Sequence, residues 1–478
     1  MSNRRSFFRS ALGLGAGLIS KSAGAGSVSP PVAVQSPDLQ DLPFTVDNGV
    51  KVFHLIAEPV RQQIAPNKIV DAWGFNGSAP GPTIHVTNGD RVRLIVDNHL
   101  PEPTSMHWHG FEIPSSMDGG PGISQQPIKP GGRFVYEFTL RQEGTFFYHS
   151  HMAMQEMMGM LGAFIMHPKN AYQPRVDKDF VILLQEYAVL PNNSVPNTMN
   201  MEFNWLLING KAGPAATPLI VRLGDRVRIR MINLGMDHHP IHVHGHTFYV
   251  TGTEAGRIPE AGWWPGNTVL VGVAQARDVE FVANNPGDWM LHCHLPHHMM
   301  NQMSSMAGPM SRSGKGMPAG GDMNIGMGML NGTPGAPSGE EYGPVFGRGL
   351  GVGSANDRAA TNGPLSPQQA MPGMQQAKPG IQHDMPDMQH GAMGVAGNVA
   401  GNANSVPGFP QDAFMEGPMM AMDEAVRKPQ NFGLPKGWSG YMQGMMTLVR
   451  VLPPDQYDRV MKLVAEGGMN MPGMQHQM

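Results

Sequence analysis

Four pairs of histidines, each pair separated by a single residue, are the most chemically distinctive feature of this sequence. The pairs are His107 and His109, His149 and His151, His242 and His244, and His292 and His294. In a β-strand, residues i and i+2 project from the same face about 7 Å apart, so one pair can bind a metal ion or flank two ions. A single pair is weak support for a metal site, but four pairs matched between two repeats predict a metal centre.

A second set of metal-binding residue types accompanies the later two pairs. Two histidines, one cysteine and a more distant methionine form the blue-copper type of site, because imidazole, thiolate and thioether groups suit copper. The sequence predicts such a site from His239, Cys293, His298 and Met303. The first repeat has Ser150 where the second has Cys293, so we predict one thiolate site per chain.

The histidine pairs belong to two copies of one structural unit. The segment GDRVR occurs at residues 89–93 and again at residues 224–228, and the first histidine pair recurs at the same offset of 135 residues. Apolar residues such as Val92 and Leu94 alternate with charged ones, which is the period of a strand with one buried face. Short strands between turn signals predict an all-β chain of two tandem sandwiches or barrels. The predicted units are residues 44–168 and residues 175–303.

The composition limits the partners and favours copper. The 478 residues include 33 basic and 37 acidic side chains, and the formal net charge of -4 argues against nucleic acid or a membrane surface as a partner. One Cys excludes a disulfide framework, whereas 20 His and 40 Met supply soft and borderline metal ligands. No stretch of the mature sequence reaches about 18 uncharged apolar residues, so we predict no membrane span.

The N-terminal residues are typical of an export signal. Arg4 and Arg5 precede a short apolar run at residues 11–19, and small residues follow at 23–25. This order predicts a twin-arginine signal peptide over residues 1–25. It implies that the folded protein is exported to the periplasm or secreted.

The composition changes after the second unit. Residues 304–408 are rich in Gly, Pro, Ala and Met and poor in branched aliphatic side chains, so we predict a largely disordered, low-complexity linker. Apolar residues at helix-like spacing return over residues 441–452 and 455–465. We therefore predict a C-terminal tail at 409–478 with short helices that dock on the folded part.

Methionines recur in the linker and tail as a short phrase. Versions of Met-Pro-x-Met-Gln begin at Met371, Met385 and Met471, and a Met-rich segment also follows His151. In a Gly-rich segment these methionines have no core to enter, and thioether groups suit Cu(I). We predict weak copper-binding sites that collect the metal, with compositional drift as the alternative explanation.

Together these motifs resemble those of the multicopper oxidases, which include laccases and metal oxidases. The resemblance covers about residues 44–303 and rests on HWHG, YHSH, HPIHVHGH and HCHLPHHMMNQM. It implies cupredoxin-like Greek-key domains, a type 1 copper at the thiolate site, and a trinuclear cluster bound by the eight paired histidines. In that cluster His107 and His242 are the implied ligands of the type 2 copper, and the other six histidines bind the type 3 pair.

Two departures from the usual family pattern bear on the assembly and on the axial ligand. The two units are too close in sequence to leave room for a middle domain, so the chain resembles the two-domain subclass. That subclass implies a homotrimer in which clusters form between subunits, with four copper ions per functional unit. The family has Gly before the axial residue where this chain has Gln302, and Met299 and Met300 are alternative axial ligands to Met303.

Two acidic residues are candidates for supplying protons. Asp118 holds the position of an acid near the type 2 copper in many relatives, and its alternative role is that of a turn residue before two glycines. Glu156 is the second candidate. Both are predicted as catalytic residues from the resemblance.

The resemblance implies an oxidase that takes single electrons from a reducing substrate and reduces O2 to two waters. Cu(I) is the favoured substrate because of the methionine phrases, and phenols are the second substrate class. The alternatives are a general phenol-oxidising laccase, a copper store without turnover, and a trimeric copper nitrite reductase. The last of these carries its blue-copper cysteine in the first domain, where this chain has Ser150.

Overall fold

The structure, a computed structural model, describes both repeats and part of the C-terminal region. The described residues are 30–66, 68–152, 154–189, 193–198, 201, 203–299, 405–406, 409–410 and 421–467. The predicted signal peptide, most of the predicted linker and Met303 lie outside the described residues. Within the described part, no helix has the length and apolar character needed to cross a membrane.

The first unit is a sandwich of two sheets. The strands up to the end of this unit are β1 (Val34–Gln35), β2 (Phe44–Asp47), β3 (Val50–Ala65), β4 (Lys68–Phe75), β5 (Ile84–Thr87), β6 (Arg91–Asn98), β7 (Met106–His109), β8 (Arg133–Thr139), β9 (Gly144–Ser150) and β10 (Leu161–His167). One sheet has the order β2-β3-β6-β8 with β4 paired to β3, and the other has the order β5-β10-β9-β7. Alternate residues of β6 are buried between the sheets, as the sequence pattern predicts.

The second unit repeats this arrangement with larger sheets. Its strands are β11 (Lys178–Tyr187), β12 (Trp205–Ile208), β13 (Leu219–Arg222), β14 (Arg226–Asn233), β15 (His239–Val243), β16 (Phe248–Thr253), β17 (Gly256–Arg257), β18 (Trp264–Gly266), β19 (Thr268–Val271), β20 (Gln275–Val282) and β21 (Gly287–Cys293). One sheet has the order β1-β11-β14-β20-β16-β17, with β12 and β18 paired to β11 and β16. The prediction of an all-β fold with two tandem sandwiches is confirmed.

The C-terminal region contributes short strands and helices. The strands are β22 (Ser405–Val406), β23 (Phe409–Pro410) and β24 (Met446–Leu452), and the α-helix is α1 (Pro454–Ala465). Short 3-10 helices of the described residues are Ser115–Met117, Glu260–Gly262, Pro296–Met299, Pro429–Asn431 and Trp438–Tyr441. The helix predicted over residues 455–465 is confirmed by α1, whose Val460 packs against Ile220 and Leu452 of two neighbouring strands.

The other predicted helix, over residues 441–452, is wrong, because most of this segment is the strand β24. The second sheet of the second unit has the order β13-β24-β21-β15-β19, with β24 parallel to β13 and antiparallel to β21. All seven residues of β24 are buried. Both faces of β24 are buried, so its apolar residues do not alternate with exposed ones and their spacing could be mistaken for that of a helix.

The Met-rich segment is consequently an insertion in the second unit and not a tail. In the first unit β10 follows β9 after the short loop of residues 151–160 and pairs with it. In the second unit β24 takes the corresponding place beside β21, but residues 294–445 separate the two strands. The segment predicted as a tail, residues 409–478, therefore contains β24, which is a strand of the second sandwich. The predicted range of the second unit, residues 175–303, does not include this strand.

The two sandwiches pack against each other through an apolar layer and a buried polar network. Phe147 of the first unit packs with Ile232 of the second. Beside this layer, Arg230 Nη1 donates a hydrogen bond to Thr145 Oγ1, and Thr145 Oγ1 donates one to Asp278 Oδ1, each at 2.7 Å. Because Thr145 and Phe147 lie on β9, the contact fastens the strand that carries His149 to the second unit.

Candidate metal centres

The predicted His239, Cys293 and His298 converge at one buried point of the second unit. Cys293 Sγ lies 3.8 Å from His239 Nδ1 and 3.4 Å from His298 Nδ1, and the two nitrogens are 3.2 Å apart. All three residues have 0% of their surface exposed. Two imidazole nitrogens and one sulfur that face one another away from solvent are the donor set of a blue-copper site, so these residues fit a type 1 copper.

Strand pairing brings these ligands together from distant parts of the sequence. β15 runs antiparallel to β21 with Ile241 opposite Cys293, and His239 projects from the same face as Ile241. His298 lies in the 3-10 helix Pro296–Met299, which follows β21 at once. Burial raises the pKa of Cys293 to about 12, so a metal ion that binds here must displace the thiol proton.

Each of the two histidines has a carboxylate beside its outer ring nitrogen. Glu186 Oε2 lies 3.1 Å from His239 Nε2, and both side chains are fully buried. Asp237 Oδ2 lies 3.4 Å from His298 Nε2, and 35% of the Asp237 side chain is exposed. The hydrogen bond that His239 Nε2–H donates to Glu186 fixes the tautomer of that histidine and leaves its Nδ1 for a metal ion.

We expect Glu186→Gln to raise the reduction potential of the type 1 copper and to weaken metal binding. The amide has nearly the same shape but no negative charge, so it stabilises the oxidised metal less and holds the His239 tautomer less firmly. Loss of such a partner typically lowers metal affinity by about 10–100-fold. Potentiometric titration of the blue absorption band and copper competition with a chelator measure the two effects.

Asp237→Asn provides the matched control for that variant. Because the Asp237 side chain is 35% exposed, solvent screens its charge, and we expect a smaller change in potential than for Glu186→Gln. Equal shifts in the two variants, or no shift in Glu186→Gln, would contradict the role given to Glu186.

The four predicted histidines of the first unit gather at one end of the sheet β5-β10-β9-β7. β7 carries His107 and His109, β9 carries His149, and His151 follows β9 directly. Ring nitrogens of His107, His109 and His149 all lie within 4.8 Å of one another. The ring centroid of His151 is 5.3 Å from that of His107. Four imidazoles in this arrangement fit half of a copper cluster.

Backbone carbonyls orient two of these rings. His107 Nδ1 lies 2.9 Å from the Asp118 carbonyl oxygen, and His149 Nδ1 lies 3.0 Å from the Ser150 carbonyl oxygen. A carbonyl can only accept a hydrogen bond, so both rings carry a proton on Nδ1 and present Nε2 to the site. Burial, with a smaller contribution from neighbouring histidines, lowers the pKa of His109 to about 4, so this ring is neutral and able to bind a metal near pH 7.

The second unit holds the matching four histidines in a similar arrangement. His242 Nδ1 donates to the Asn267 carbonyl at 2.7 Å, and His292 Nδ1 donates to the carbonyl of the following residue at 2.8 Å. His244 Nε2 lies 3.0 Å from His292 Nε2, and the His294 ring centroid is 5.6 Å from that of His242. The residue types and their orientation fit the other half of a copper cluster.

Within one chain the two halves stay apart. Among the described residues, no hydrogen bond, ion pair or ring contact joins a histidine of the first four to one of the second four. His151 and His294 are exposed. The chain therefore brings the predicted ligands together as two groups of four, and each group includes one exposed histidine.

The two predicted proton donors both contact histidines of the first half. Glu156 Oε2 lies 3.0 Å from His149 Nδ1, and Asp118 Oδ1 lies 3.5 Å from His107 Nδ1. Burial lowers the pKa of His149, but Glu156 outweighs burial and the net pKa is raised. Asp118 also ends the 3-10 helix Ser115–Met117, so it has a turn role and a place beside the site.

The first unit has an uncharged counterpart of the Cys293 site. Thr104, Ser150 and Gln155 hold the corresponding positions of the repeat. Thr104 Oγ1 donates to Gln155 Oε1 at 2.8 Å and Ser150 Oγ donates to the same oxygen at 2.7 Å, and all three residues are buried. These polar groups satisfy one another, and none of them is a thiol.

Sequence patterns did not single out the two carboxylates of the Cys293 site. Asp237 stands two residues before His239, so its position near the site had a local signal. Glu186 lies 53 positions before His239 and reaches it from β11, in the other sheet of the sandwich. Only the packing of the two sheets brings Glu186 to the site.

The chain belongs to the multicopper oxidase family. Two family models, each described as multicopper oxidase, match residues 59–171 and 188–307. The matched segments contain all eight paired histidines together with His239, Cys293 and His298. The two sandwiches are accordingly cupredoxin-like domains of this family.

The relatives include copper-resistance proteins and laccases. Copper resistance protein A of Pseudomonas syringae pv. tomato is 41% identical over 117 residues, which cover 24% of this chain and 19% of that protein. Laccase-2 of Botryotinia fuckeliana is 32% identical over 241 residues, which cover 45% of this chain and 40% of the laccase. The solved blue copper oxidase from Nitrosomonas europaea is 33% identical with a TM-score of 0.49, and the match covers 52% of this chain and 81% of that one. The chain thus spans less than half the length of these two curated relatives.

Proposed function

We propose that this protein is an oxidase that takes single electrons from a reducing substrate, with Cu(I) favoured, and reduces O2 to two waters. The observation that carries the proposal is the order His292-Cys293-His294. Cys293 belongs to the buried set, which is the group of His239, Cys293 and His298. His292 and His294 belong to the four paired histidines of the second unit, which form one half-cluster, as the four of the first unit form the other. Copper, when bound, supplies single-electron transfer at the buried set and multi-electron reduction of O2 at the cluster.

The end of β21 divides its side chains between the two sites. Successive residues of a strand project from opposite faces, so Cys293 faces the core and its two neighbours face the half-cluster. Cys293 packs in the apolar core of the second unit, whereas His294 is exposed. A path of a few covalent bonds therefore connects the site that accepts an electron to the site that uses it.

The exposed edge of the buried set lies at Asp237. His239, Cys293 and Glu186 are fully buried or nearly so, whereas the Asp237 side chain beside His298 is 35% exposed. An electron donor in solution therefore approaches most closely at His298 and Asp237. The carboxylate there favours a cationic donor, which supports Cu(I) over a neutral phenol.

The separate half-clusters support an assembly in which the first unit of one chain meets the second unit of another. A complete cluster needs both groups of four histidines, and a single chain keeps them apart. A closed ring satisfies every half-cluster, because each chain gives one half and receives the other. We propose a homotrimer with four copper ions per functional unit, as the family resemblance implies.

Two carboxylates are placed to supply protons to the first half-cluster. Glu156 Oε2 contacts His149 Nδ1, and the Asp118 carboxylate lies beside His107 Nδ1. Each can hold a proton next to a histidine that presents its other nitrogen to the cluster. We propose Asp118 and Glu156 as proton donors in oxygen reduction.

The Met-rich insertion supports copper as the substrate. It leaves the second unit just after His298 and returns at Met445, whose N–H donates to the His298 carbonyl at 2.9 Å. Both ends of the insertion are therefore fastened beside the buried set. Cu(I) held by the thioether groups of the phrases at Met371 and Met385 would be kept near the site that oxidises it.

We also propose that the protein acts in the periplasm or outside the cell. The twin-arginine segment over residues 1–25 is the observation behind this location. Residues 44–168 and 175–303 would be exported as folded units, with β24 completing the second.

Oxygen uptake by the copper-loaded, full-length protein tests the proposed function. Steady-state rates with Cu(I), Fe(II), Mn(II) and a phenol give the substrate preference, and we expect the highest kcat/KM for Cu(I). A phenol preference would support a general laccase instead, the class to which one of the relatives belongs. Copper binding without oxygen uptake with any reductant would leave a copper store as the function.

Deletion of residues 304–420 is expected to lower kcat/KM for Cu(I) while phenol oxidation is retained. The deletion removes the methionine phrases that begin at Met371 and Met385 but keeps the phrase at Met471, the ligands and β24. A short flexible linker can join the cut ends, because Met299 packs in one cluster with Leu434 and Trp438. Oxygen uptake with both substrates measures the effect, and equal rates for deleted and full-length protein with Cu(I) would contradict the role of the insertion.

A further inference from the structure

Met445 lies opposite Cys293 where the chain returns from the insertion. β24 pairs antiparallel with β21 in a register that places Met446 opposite His292. One step further along, Cys293 N donates a hydrogen bond to the Met445 carbonyl at 3.1 Å. Directly opposed residues have Cβ atoms about 4.5–5.5 Å apart, so the Met445 side chain starts beside that of the cysteine.

A second backbone hydrogen bond and the burial of its side chain hold Met445 at the buried set. Its N–H donates to the His298 carbonyl at 2.9 Å, so Met445 bridges the backbones of two predicted copper ligands. Its side chain is 0% exposed and belongs to the same apolar cluster as Cys293. The next residue, Met446, packs in a different cluster, as strand alternation requires.

The first unit repeats this arrangement around its uncharged counterpart of the site. Ser150 N donates to the Met160 carbonyl at 3.0 Å, and Met160 N donates to the Gln155 carbonyl at 3.3 Å. Met160 is also fully buried and immediately precedes the strand β10. Both units therefore place a buried methionine at the same point of the fold, although the loop before it covers residues 151–159 in the first unit and residues 294–444 in the second.

We propose that Met445 is the axial ligand of the type 1 copper, in place of the predicted Met303. The inference rests on the proposed type 1 site. Met445 adds a thioether to two imidazoles and a thiolate, which completes the donor set of a blue-copper site. Met299, the other described candidate, packs with Met442 and Met446 in the separate cluster.

This assignment makes the Met-rich insertion a loop between two ligands of one copper ion. His298 precedes the insertion and Met445 follows it. The last ligand then comes from the strand that completes the second sandwich, so the copper site forms only when β24 is in place. Copper then binds only the folded state in which β24 is paired. Bound copper therefore stabilises the pairing of β24, and loss of that pairing weakens copper binding.

Exchange of Met445 for Leu and for Gln in the full-length, copper-loaded protein tests the inference. Leu removes the thioether and Gln offers an amide oxygen, so we expect Met445→Leu to raise the type 1 reduction potential and Met445→Gln to lower it. Absorption and electron paramagnetic resonance spectra of the blue site should change in both variants. Circular dichroism of the metal-free proteins shows whether β24 still pairs.

Met303→Leu is the matched control and is expected to leave the potential and the spectra unchanged. An upward shift of the potential in Met303→Leu would overturn the inference, whether or not the Met445 variants fold. Unchanged potentials in well-folded Met445→Leu and Met445→Gln would overturn it as well. A wild-type protein that binds copper without a blue band would instead overturn the type 1 site itself, and with it the proposed function.

Discussion

A chain that ends at residue 420 will fail to fold its second unit and will show no blue copper band. The truncation removes β24, which lies between β13 and β21 and pairs with both. Each large apolar side chain of this strand contributes about 1.5–3 kcal/mol when buried. The seven residues of β24 are all buried and five of them are large and apolar, so their loss removes about 7.5–15 kcal/mol, which is as large as the usual net stability of about 5–15 kcal/mol for a folded domain.

The control for this truncation is the deletion of residues 304–420, which removes most of the insertion but keeps β24 and α1. We expect that variant to retain a cooperative thermal transition and the blue band. Near-ultraviolet circular dichroism, calorimetry and limited proteolysis of both chains measure the difference. A truncated chain that still folds its second unit would show that β24 is dispensable and would contradict the insertion topology.

Two inactive variants, Cys293→Ser and His109→Gln, should regain activity when they are produced together. Cys293→Ser removes the thiolate of the buried set, and Ser150 of the first unit shows that a hydroxyl at this position pairs with polar neighbours. His109→Gln removes a ligand of the first half-cluster. In a mixed ring, an intact first unit from one variant meets an intact second unit from the other.

The size of the recovery follows from random mixing of subunits. Each functional site needs a first unit from the Cys293→Ser chain and a second unit from the His109→Gln chain, so about a quarter of the sites are restored if clusters form between chains. Oxygen uptake by the co-expressed, copper-loaded protein measures this fraction, and native mass spectrometry reports the number of subunits.

A third variant supplies the control for complementation. Co-expression of Cys293→Ser with His292→Gln leaves no chain with an intact second unit, so no activity should return. If the first mixture is also inactive although mixed rings are detected, the cluster does not form between chains. The proposed assembly would then be wrong. The assignment of Cys293 as a copper ligand would still be supported, because Cys293→Ser lacks the blue band.

The ligands that lie close together in sequence were predictable, and those supplied by distant segments were not. Each histidine pair occupies alternate positions of one strand, and His298 follows Cys293 by one short turn, so local spacing was enough. Glu186 and Met445 carry no such signal, because they reach the Cys293 site across the sandwich and across the insertion. The Gly-Met step of Gly159 and Met160 does recur at Gly444 and Met445, but the insertion destroys the constant offset that marks the other repeats.

The strand β24 illustrates why the remainder of the fold needed the structure. Both of its faces carry buried apolar residues, so these residues do not show the alternation that marks a strand with one buried face. Burial on both faces follows from its place in the sheet, between β13 from the start of the second unit and β21 from its end. The length of chain between β21 and β24 hid the partnership, because sequence separation says nothing about strand pairing.

The sequence by itself determined the kinds of donor atom, their pairing in two repeats and the single thiolate, because residue identity and spacing along a strand are local properties. The tertiary structure decided which donors converge: the buried set closes within one chain, the two half-clusters do not meet, and the strand after the insertion belongs to the copper-binding sheet. The physical reason is that convergence depends on strand register and sheet packing, which arise from contacts between residues far apart in the chain.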